Sequence, residues 1–408
     1  MTEKLYLNDS TQMEFKSTVS DITKYRGKPA IVLKETLFYG EAGGQLADHG
    51  RLQWHGGAVD VCDVQIEEQT FYHLVESIPE GLTAGSDVVG KVDAQRRWDH
   101  MRQHTGQHLV SAAFYTVEGI KTISSRLGSR VSTIDINIEK PDWELARRIE
   151  QKVNQTIMEN RPIVIHYPNA AELATMKMRR TPKVDRDIRV IEIADMDLTP
   201  CGGTHCRTTG EVGFVKIISL ERYKGMIRVT FVAGQRALDA IQSMSSQVRT
   251  VVSETECQLS EIPNMLSGLH EELKETKYKL GVMRKAHLAR IAEQLLSEHV
   301  ESKGLTVILT VQEQLDAEAR RVLASALSAR SDVVSGVFSR DIQAGKWMIV
   351  MEAASQTGVQ LQKLFKEFFF PKGGRGGGRA QHVEGFLPDQ DVAIEEVLEE
   401  LKTALTGH

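Results

Sequence analysis

Up to about residue 95 the apolar positions come in short clusters separated by glycine turns. Ala30-Ile31-Val32-Leu33 and Ala58-Val59-Asp60-Val61 predict strands, with Gly43-Gly44 and Gly56-Gly57 in the turns between such segments. From Arg96 to about Val117 the texture becomes helical, carrying Trp98, Leu109, Ala112, Ala113 and Tyr115 and ending near Gly119. Ser132 to Ile138 alternates as a half-buried strand should, and Pro141 to Glu159 reads as an amphipathic helix. Ile163 to Ile165, Arg189 to Ile193, Gly213 to Ile218 and Met226 to Val232 are further strands, which makes the pattern α+β.

Past about Ala237 the period changes. Leu259, Leu266, Leu273 and Leu280 recur every seven residues, interleaved with Ile262, Leu269 and Met283, and Pro263 suits the first turn of the helix. Leu288, Ile291 and Leu295 continue the stripe. Such a seam could pair with a second copy, giving a homodimer through the 259–295 helix, or fold back on its own chain. From about Leu305 an α/β unit is expected: a strand over Thr306 to Val311, a helix over Leu315 to Ala329, and strands over Val333 to Phe338 and Trp347 to Met351. A helix through Phe370, the glycine-rich loop Gly373-Gly374-Arg375-Gly376-Gly377-Gly378-Arg379 and a last helix near Asp391 to Leu405 complete it.

With 408 residues the chain should hold two or three domains at ~150 residues each. Its 41% apolar and 26% charged residues describe an ordinary globular protein, and no window approaches the ~18 apolar residues of a membrane span. The first residues lack an apolar segment followed by a small-residue cleavage site, and four cysteines are too few for a disulfide framework. A cytoplasmic, reducing setting is expected, without a membrane partner. The net charge of -5 excludes a generally basic nucleic-acid coat and leaves room for a local basic face.

The chemistry concentrates at two places. In Arg102-Gln103-His104-Thr105-Gly106-Gln107-His108, the two histidines His104 and His108 stand four apart, so on a helix both rings leave one face. His100, four residues earlier, could pair with His104 instead. In Pro200-Cys201-Gly202-Gly203-Thr204-His205-Cys206, a cysteine and a histidine share a glycine turn that permits a backbone reversal. Either half alone is also compatible with a surface histidine pair or a buried thiol beside a turn. Together His104, His108, Cys201 and His205 make a mixed nitrogen and sulfur set that suits Zn²⁺ better than Mg²⁺ or Ca²⁺, with Cys206 as a spare thiol. The residues between the histidines include no glutamate, so the metalloprotease pattern H-E-x-x-H fails.

HTGQHLVSAAF followed about ninety residues later by CGGTHCRTTGEVG resembles the editing domain of alanyl-tRNA synthetase and its stand-alone relatives, the alanyl-tRNA editing proteins. Leu37-Phe38-Tyr39-Gly40-Glu41-Ala42-Gly43-Gly44-Gln45-Leu46-Ala47-Asp48 is similar to the family's F-Y-x-E-x-G-G-Q-x-x-D segment, and Val232 to Leu238 to the domain's exit. The heptad helix and the unit with GGRGGGR resemble the synthetase's C-terminal DHHA1-type part. The resemblance implies a β-rich, barrel-like subdomain over 1–95, a zinc-containing editing domain over 96–237, a helical coiled-coil segment over 238–303 and a DHHA1-like α/β domain over 304–408. Because the F-Y-G-E-A-G-G-Q segment begins by residue 38, no room is expected for an aminoacylation core, so the chain should edit without charging tRNA.

What the resemblance implies has a physical basis. A pocket that accepts alanine discriminates against serine or glycine by only ~10²-fold, so a second, hydrolytic sieve is needed. The implied reaction is hydrolysis of the ester joining serine, or glycine, to the tRNA for alanine. The zinc held by His104, His108, Cys201 and His205 would orient the aminoacyl group or lower the pKa of water. In the family a Thr or Gln shortly after the HxxxH helix senses the serine hydroxyl. Ser124 or Ser125 occupies that stretch here, unless it is a solvated serine turn, and Gln107 beside His108 faces the same region. Candidate phosphate contacts are Lys177, Arg179, Arg180 and Lys183, and then Arg375 and Arg379 on their glycine loop. A charged run is otherwise plain surface. The competing readings are a non-catalytic RNA-binding or synthetase-associated module with structural zinc, and a phosphoesterase. The latter would need a D-H-H motif, which the chain lacks.

Overall fold

The computed structural model describes residues 2–182, 188–298, 304–389 and 393–407, so Lys183 lies outside the described residues. The chain divides into two compact units, Met1–Glu256 and Cys257–His408.

The first unit opens with a seven-stranded antiparallel sheet. Its order is Gly57–Val61, Gly50–Trp54, Asp87–Val92, Glu14–Tyr25, Lys28–Leu33, Thr70–Leu74 and Asp63–Glu67. Among the described residues its end strands do not pair, so the expected barrel is not closed by hydrogen bonds. Phe15, Ile31, Leu33, Leu37, Phe38, Leu52 and Phe71 form its core. Helix α1 (Ala94–Glu118) follows, started by the Asp93 side chain, which accepts from the Arg96 N–H at 3.1 Å. Helix α2 (Trp143–Met158) is capped the same way by Asp142. Both pack on a four-stranded antiparallel sheet ordered Thr122–Leu127, Ser132–Ile136, Met226–Ala233 and Val215–Tyr223. Met101, Leu109, Phe114, Ile134, Ile149, Val229 and Phe231 fill the space between. A smaller antiparallel sheet of Ile163–His166, Val190–Ile193 and Asp197–Pro200 accompanies the short helix α3 (Ala170–Thr175). Helix α4 (Gln235–Thr255) closes the unit; it starts inside the span assigned to the editing domain, where Ala237 is buried.

The second unit begins with helix α5 (Ile262–Glu298), whose first turn holds Pro263 as expected. Leu259 lies in a short 3₁₀ turn ahead of it, and Leu259, Leu266, Leu273 and Leu280 are all more than half exposed. Only Leu288 and Ala292 of this helix are buried, against helix α6 (Ala317–Leu327). A five-stranded mixed sheet runs Thr306–Val311, Val333–Asp341, Lys346–Ala353, His382–Pro388 and Arg375–Arg379. Val333 and Val337 face α6, whereas Val334 and Phe338 face helices α7 (Leu361–Phe369) and α8 (Ile394–Thr406), as strand alternation requires.

The expected GGRGGGR loop is a correction. Arg375–Arg379 is an exposed edge strand paired with His382–Pro388. Its glycines answer a packing need: a Cβ on Gly376 would lie 2.4 Å from the Glu384 carbonyl oxygen and 2.8 Å from the Phe365 ring. The glycine run lets α7 and the neighbouring strand approach, which sequence alone could not distinguish from a phosphate-cradling loop.

Candidate metal centre

Helix α1 carries His104 and His108 on one face, as the four-residue spacing requires. Each ring is held from behind. The Gln45 carboxamide oxygen lies 2.8 Å from His104 Nδ1, and Asp197 Oδ2 lies 2.8 Å from His108 Nδ1. Both Nε2 atoms are thereby left to the inside of the cluster. Gln45 is itself fixed, donating through Nε2 to the Thr204 hydroxyl at 2.8 Å. The segment bearing Gln45 is anchored by Asp48, whose carboxylate receives the buried Arg97 guanidinium and the Tyr39 N–H.

The Cys201–His205 turn leaves the end of the Asp197–Pro200 strand and lays its side chains against the helix. Cys201 Sγ is 3.4 Å from His104 Nε2, and His205 Nε2 is 3.3 Å from His108 Nε2. One ligand atom from each of His104, His108, Cys201 and His205 falls within 4.8 Å of every other, so this cluster could bind a metal ion. Gly203 is there for proximity and has no left-handed backbone: a Cβ on it would lie 2.2 Å from the His104 ring. Cys206 is not part of the cluster. Its side chain joins the apolar core, and its N–H donates to the Thr105 hydroxyl. His100 also stays outside, buried, with Nδ1 lacking a partner.

The electrostatics separate the two thiols. Burial pushes Cys206 up to about 12. Burial works the same way on Cys201, but the His104 and His205 rings overcome it and hold the thiol well below its ordinary range. Burial takes His205 down to about 3. Burial opposes a charge on His108 too, yet the Asp197 carboxylate and the Cys201 sulfur lift it to about 9.

The neighbours of the cluster revise several expectations. On the Thr122–Leu127 strand, Thr122, Ser125 and Leu127 pair with Ile136, Ile134 and Ser132, and so face α1. Ser124 pairs with Asp135 and points to the other face, where its hydroxyl donates to that carboxylate at 2.5 Å. Ser124 is therefore turned away, and Ser125 remains as the serine on the cluster's side. Gln107 is buried and donates to Ser111 Oγ at 2.8 Å, while the Thr122 hydroxyl donates to the same oxygen at 2.9 Å. Its carboxamide oxygen makes no hydrogen bond among the described residues. Gln45 and Asp197 were missed because they lie 59 and 89 residues from the histidines they orient, whereas Ser111 stands one helical turn from Gln107 and Thr122 eleven residues beyond Ser111. Only the G-G-Q run hinted at the first.

The basic cluster changes more. Arg179 is no free phosphate contact, since its buried guanidinium pairs with Asp197 through Nε at 2.7 Å. Arg180 is half-buried and donates to the Thr122 carbonyl at 2.8 Å. Lys177 is exposed. Arg375 and Arg379 are exposed at the ends of the edge strand.

Three families match. "tRNA synthetases class II (A)" aligns with residues 6–96, "Threonyl and Alanyl tRNA synthetase second additional domain" with 188–230, and "DHHA1 domain" with 303–407. "Alanyl-tRNA editing protein AlaX-L" of Pyrococcus horikoshii is 27% identical over 98% of this chain and 100% of its own length. The chain is similar to the stand-alone alanyl-tRNA editing proteins from end to end. The "Alanine--tRNA ligase" of Archaeoglobus fulgidus is 28% identical over 100% of this chain and 44% of the ligase, and that of Methanocorpusculum labreanum 30% over 94% and 41%. The chain thus spans less than half the length of those ligases. Among solved structures, "Crystal Structure of the C-Ala domain from Aquifex aeolicus alanyl-tRNA synthetase" is 25% identical over 27% of this chain and 98% of that chain, at a TM-score of 0.24. Among the described residues no helix is long and apolar enough to cross a membrane.

Proposed function

We propose that this chain is an aminoacyl-tRNA hydrolase that removes serine, and glycine, from mischarged tRNA for alanine without charging tRNA itself. The observation that carries the reading is the convergence of His104, His108, Cys201 and His205, in a chain similar to an editing protein over its whole length. The donor set fits zinc. Three imidazole nitrogens and a thiolate match its preference for nitrogen and sulfur ligands, and the 3.3 Å between the His108 and His205 nitrogens and the 3.4 Å between the Cys201 sulfur and the His104 nitrogen bring the donors close enough to share one ion. A zinc ion held there would supply Lewis-acid polarisation of the scissile ester.

The remaining work falls to the chain. Gln45 and Asp197 fix the imidazole tautomers by engaging Nδ1, and Arg179 keeps Asp197 ionised and in place. Discrimination against alanine needs a polar group that only the serine hydroxyl satisfies. The unpaired carboxamide oxygen of Gln107, fixed through Ser111 and Thr122, suits that role, and Ser125 on the same side is the second candidate. Arg375 and Arg379 suit phosphate contact from the open strand edge of the second unit, and Lys177, exposed on the first unit, is a separate candidate. The exposed leucines of α5 support pairing of two copies through that helix.

Purified protein given seryl- and alanyl-tRNA for alanine should release serine rapidly and largely spare alanine. Absence of release from both, with zinc bound at full stoichiometry, would overturn the hydrolase reading in favour of a non-catalytic RNA-binding module.

A further inference from the structure

Among the described basic residues of the 177–183 segment, Arg180 alone is both anchored and open. The Arg179 N–H donates to the Leu198 carbonyl at 2.9 Å, so the segment runs beside the Asp197–Pro200 strand that leads into the Cys201 turn. Arg179 spends its side chain on Asp197, and Lys177 is exposed. The Arg180 side chain crosses to a different strand, where its Nη2 donates to the Thr122 carbonyl at 2.8 Å. Thr122 is the residue whose hydroxyl meets the Gln107 carboxamide at Ser111. Arg180 therefore bridges two walls of the site, the strand that ends at Cys201 and the strand that faces α1 beside Gln107.

The rest of the guanidinium is unmatched. Nε and Nη1 make no hydrogen bond among the described residues, and in this half-buried side chain neither nitrogen is sealed from solvent. Burial works against the charge most, the Arg179 guanidinium adds to that cost, and the Asp197 carboxylate and Cys201 sulfur offset part of it. An arginine keeps its proton in such a setting, so its open N–H groups remain donors for an anion that reaches them. The cluster meets the surface at one of the groups Arg180 faces. His104, His108 and His205 are at most 5% exposed, whereas Cys201 is half-buried. Gly202 beside it is exposed, and a Cβ built there would meet nothing within 4 Å. A substrate with its ester at the cluster thus leaves past Cys201, where Arg180 stands.

We propose that the open Nε and Nη1 groups of Arg180 bind the phosphodiester on the 5′ side of the terminal ribose of the acceptor strand, which rests on aminoacyl-tRNA being the substrate. The chemistry of that substrate selects the group. The aminoacyl ammonium is repelled by a guanidinium, and the terminal ribose is neutral. The first anion met on leaving the ester is this phosphodiester, and charge-assisted N–H bonds to its oxygens are the contacts a guanidinium makes best. The Thr122 bond holds the side chain in place beforehand, so little rotamer freedom is lost on binding.

The test reads binding and does not depend on turnover. The full chain, loaded with zinc, is titrated at fixed salt with an acceptor-stem hairpin ending in CCA. A second hairpin differs only by a neutral methylphosphonate at the last linkage. The wild type should bind the neutral hairpin about tenfold more weakly, equivalent to about 1.4 kcal/mol. Arg180→Gln should bind both hairpins equally, and Arg180→Lys, with the charge but no planar fork, should keep a smaller preference. Lys177→Gln should keep the tenfold ratio, and its loss there instead of in Arg180→Gln overturns the assignment. A merely structural role for Arg180 would weaken both hairpins and leave their ratio untouched. A full ratio in zinc-loaded Arg180→Gln therefore overturns the proposal. Zinc stoichiometry and circular dichroism report whether each variant folds. Should Arg180→Gln fail to do so, a full tenfold ratio in Arg180→Lys overturns the proposal in its place. Equal binding of the two hairpins by the wild type, or binding of neither, does the same. If the wild type shows the preference yet releases no serine from charged tRNA, the Arg180 contact stands and the hydrolase reading falls.

Discussion

Two buried polar regions of the first unit differ in how completely they are matched. At the junction between the N-terminal sheet and α1, Arg97 is fully buried and every nitrogen has a partner: the Asp48 carboxylate, the Ser10 carbonyl at 2.8 Å and the Leu37 carbonyl. Nearby in the same subdomain, His73 has both ring nitrogens bonded, at 2.9 Å to Thr36 Oγ1 and 2.9 Å to the Ile31 carbonyl. Around the cluster the books do not close. His205 Nδ1 has no partner, and His205 Nε2 faces another imidazole nitrogen. A saturated network rigidifies, whereas buried donors and acceptors left unmatched by the chain call for a water, an ion or a ligand.

The largest effect should come from breaking the saturated side. Asp48→Asn leaves the Arg97 charge without its partner and should destabilise the first unit by about 3–5 kcal/mol, read from urea unfolding. Replacing both residues by apolar ones of similar volume should recover much of that. A cost below about 1 kcal/mol for the single change would remove the contrast.

His73 gives the next effect, through pH. Burial holds it down to about 4, while the unfolded chain protonates near 6.5. In that window the unfolded state binds the extra proton, so stability falls as pH drops from about 6.5 towards 4, by on the order of 3 kcal/mol. His73→Gln should flatten this part of the stability profile, and an unchanged slope would count against the assignment.

On the unsaturated side, zinc at a hundredfold excess over its dissociation constant should raise the wild-type unfolding free energy by about 2.7 kcal/mol. Cys201→Ala should lose that gain, whereas Cys206→Ala should keep it. An equal response of both variants would mean that the cluster is not where the ion binds.

The smallest effect separates the two serines. Ser125→Ala should reduce the preference for seryl- over alanyl-tRNA a few-fold, the worth of one hydrogen bond of about 1 kcal/mol, and Ser124→Ala should leave it within twofold. The reverse result would mean that the strand presents its other face to substrate.

Much of this was legible in the order of residues. The His104/His108 spacing specifies one helical face, and α1 runs over Ala94–Glu118 much as the texture from Arg96 to Val117 predicts. The strands at Thr306–Val311 and Val333–Asp341 coincide with apolar runs that local propensity identifies. The glycine-rich Arg375–Arg379 strand was not legible, because its reason is Phe365, ten residues away on another element. Ser124 and Ser125 could not be told apart, because a register irregularity between Thr122 and Ser124 decides which of them faces α1. Arg179 read as surface charge because its partner Asp197 is eighteen residues on.

The residues able to hold a metal, the helix that pairs two of them, and the end-to-end likeness to editing proteins can all be read from the linear order of residues. These follow from short-range spacing and residue chemistry, which survive in a linear string. How Gln45 and Asp197 aim the imidazoles, which serine faces inward, and how completely each buried guanidinium is matched emerge from the folded chain alone. Those are properties of distance between chain-distant groups, and a guanidinium's worth depends on which of its donors a neighbour has already taken.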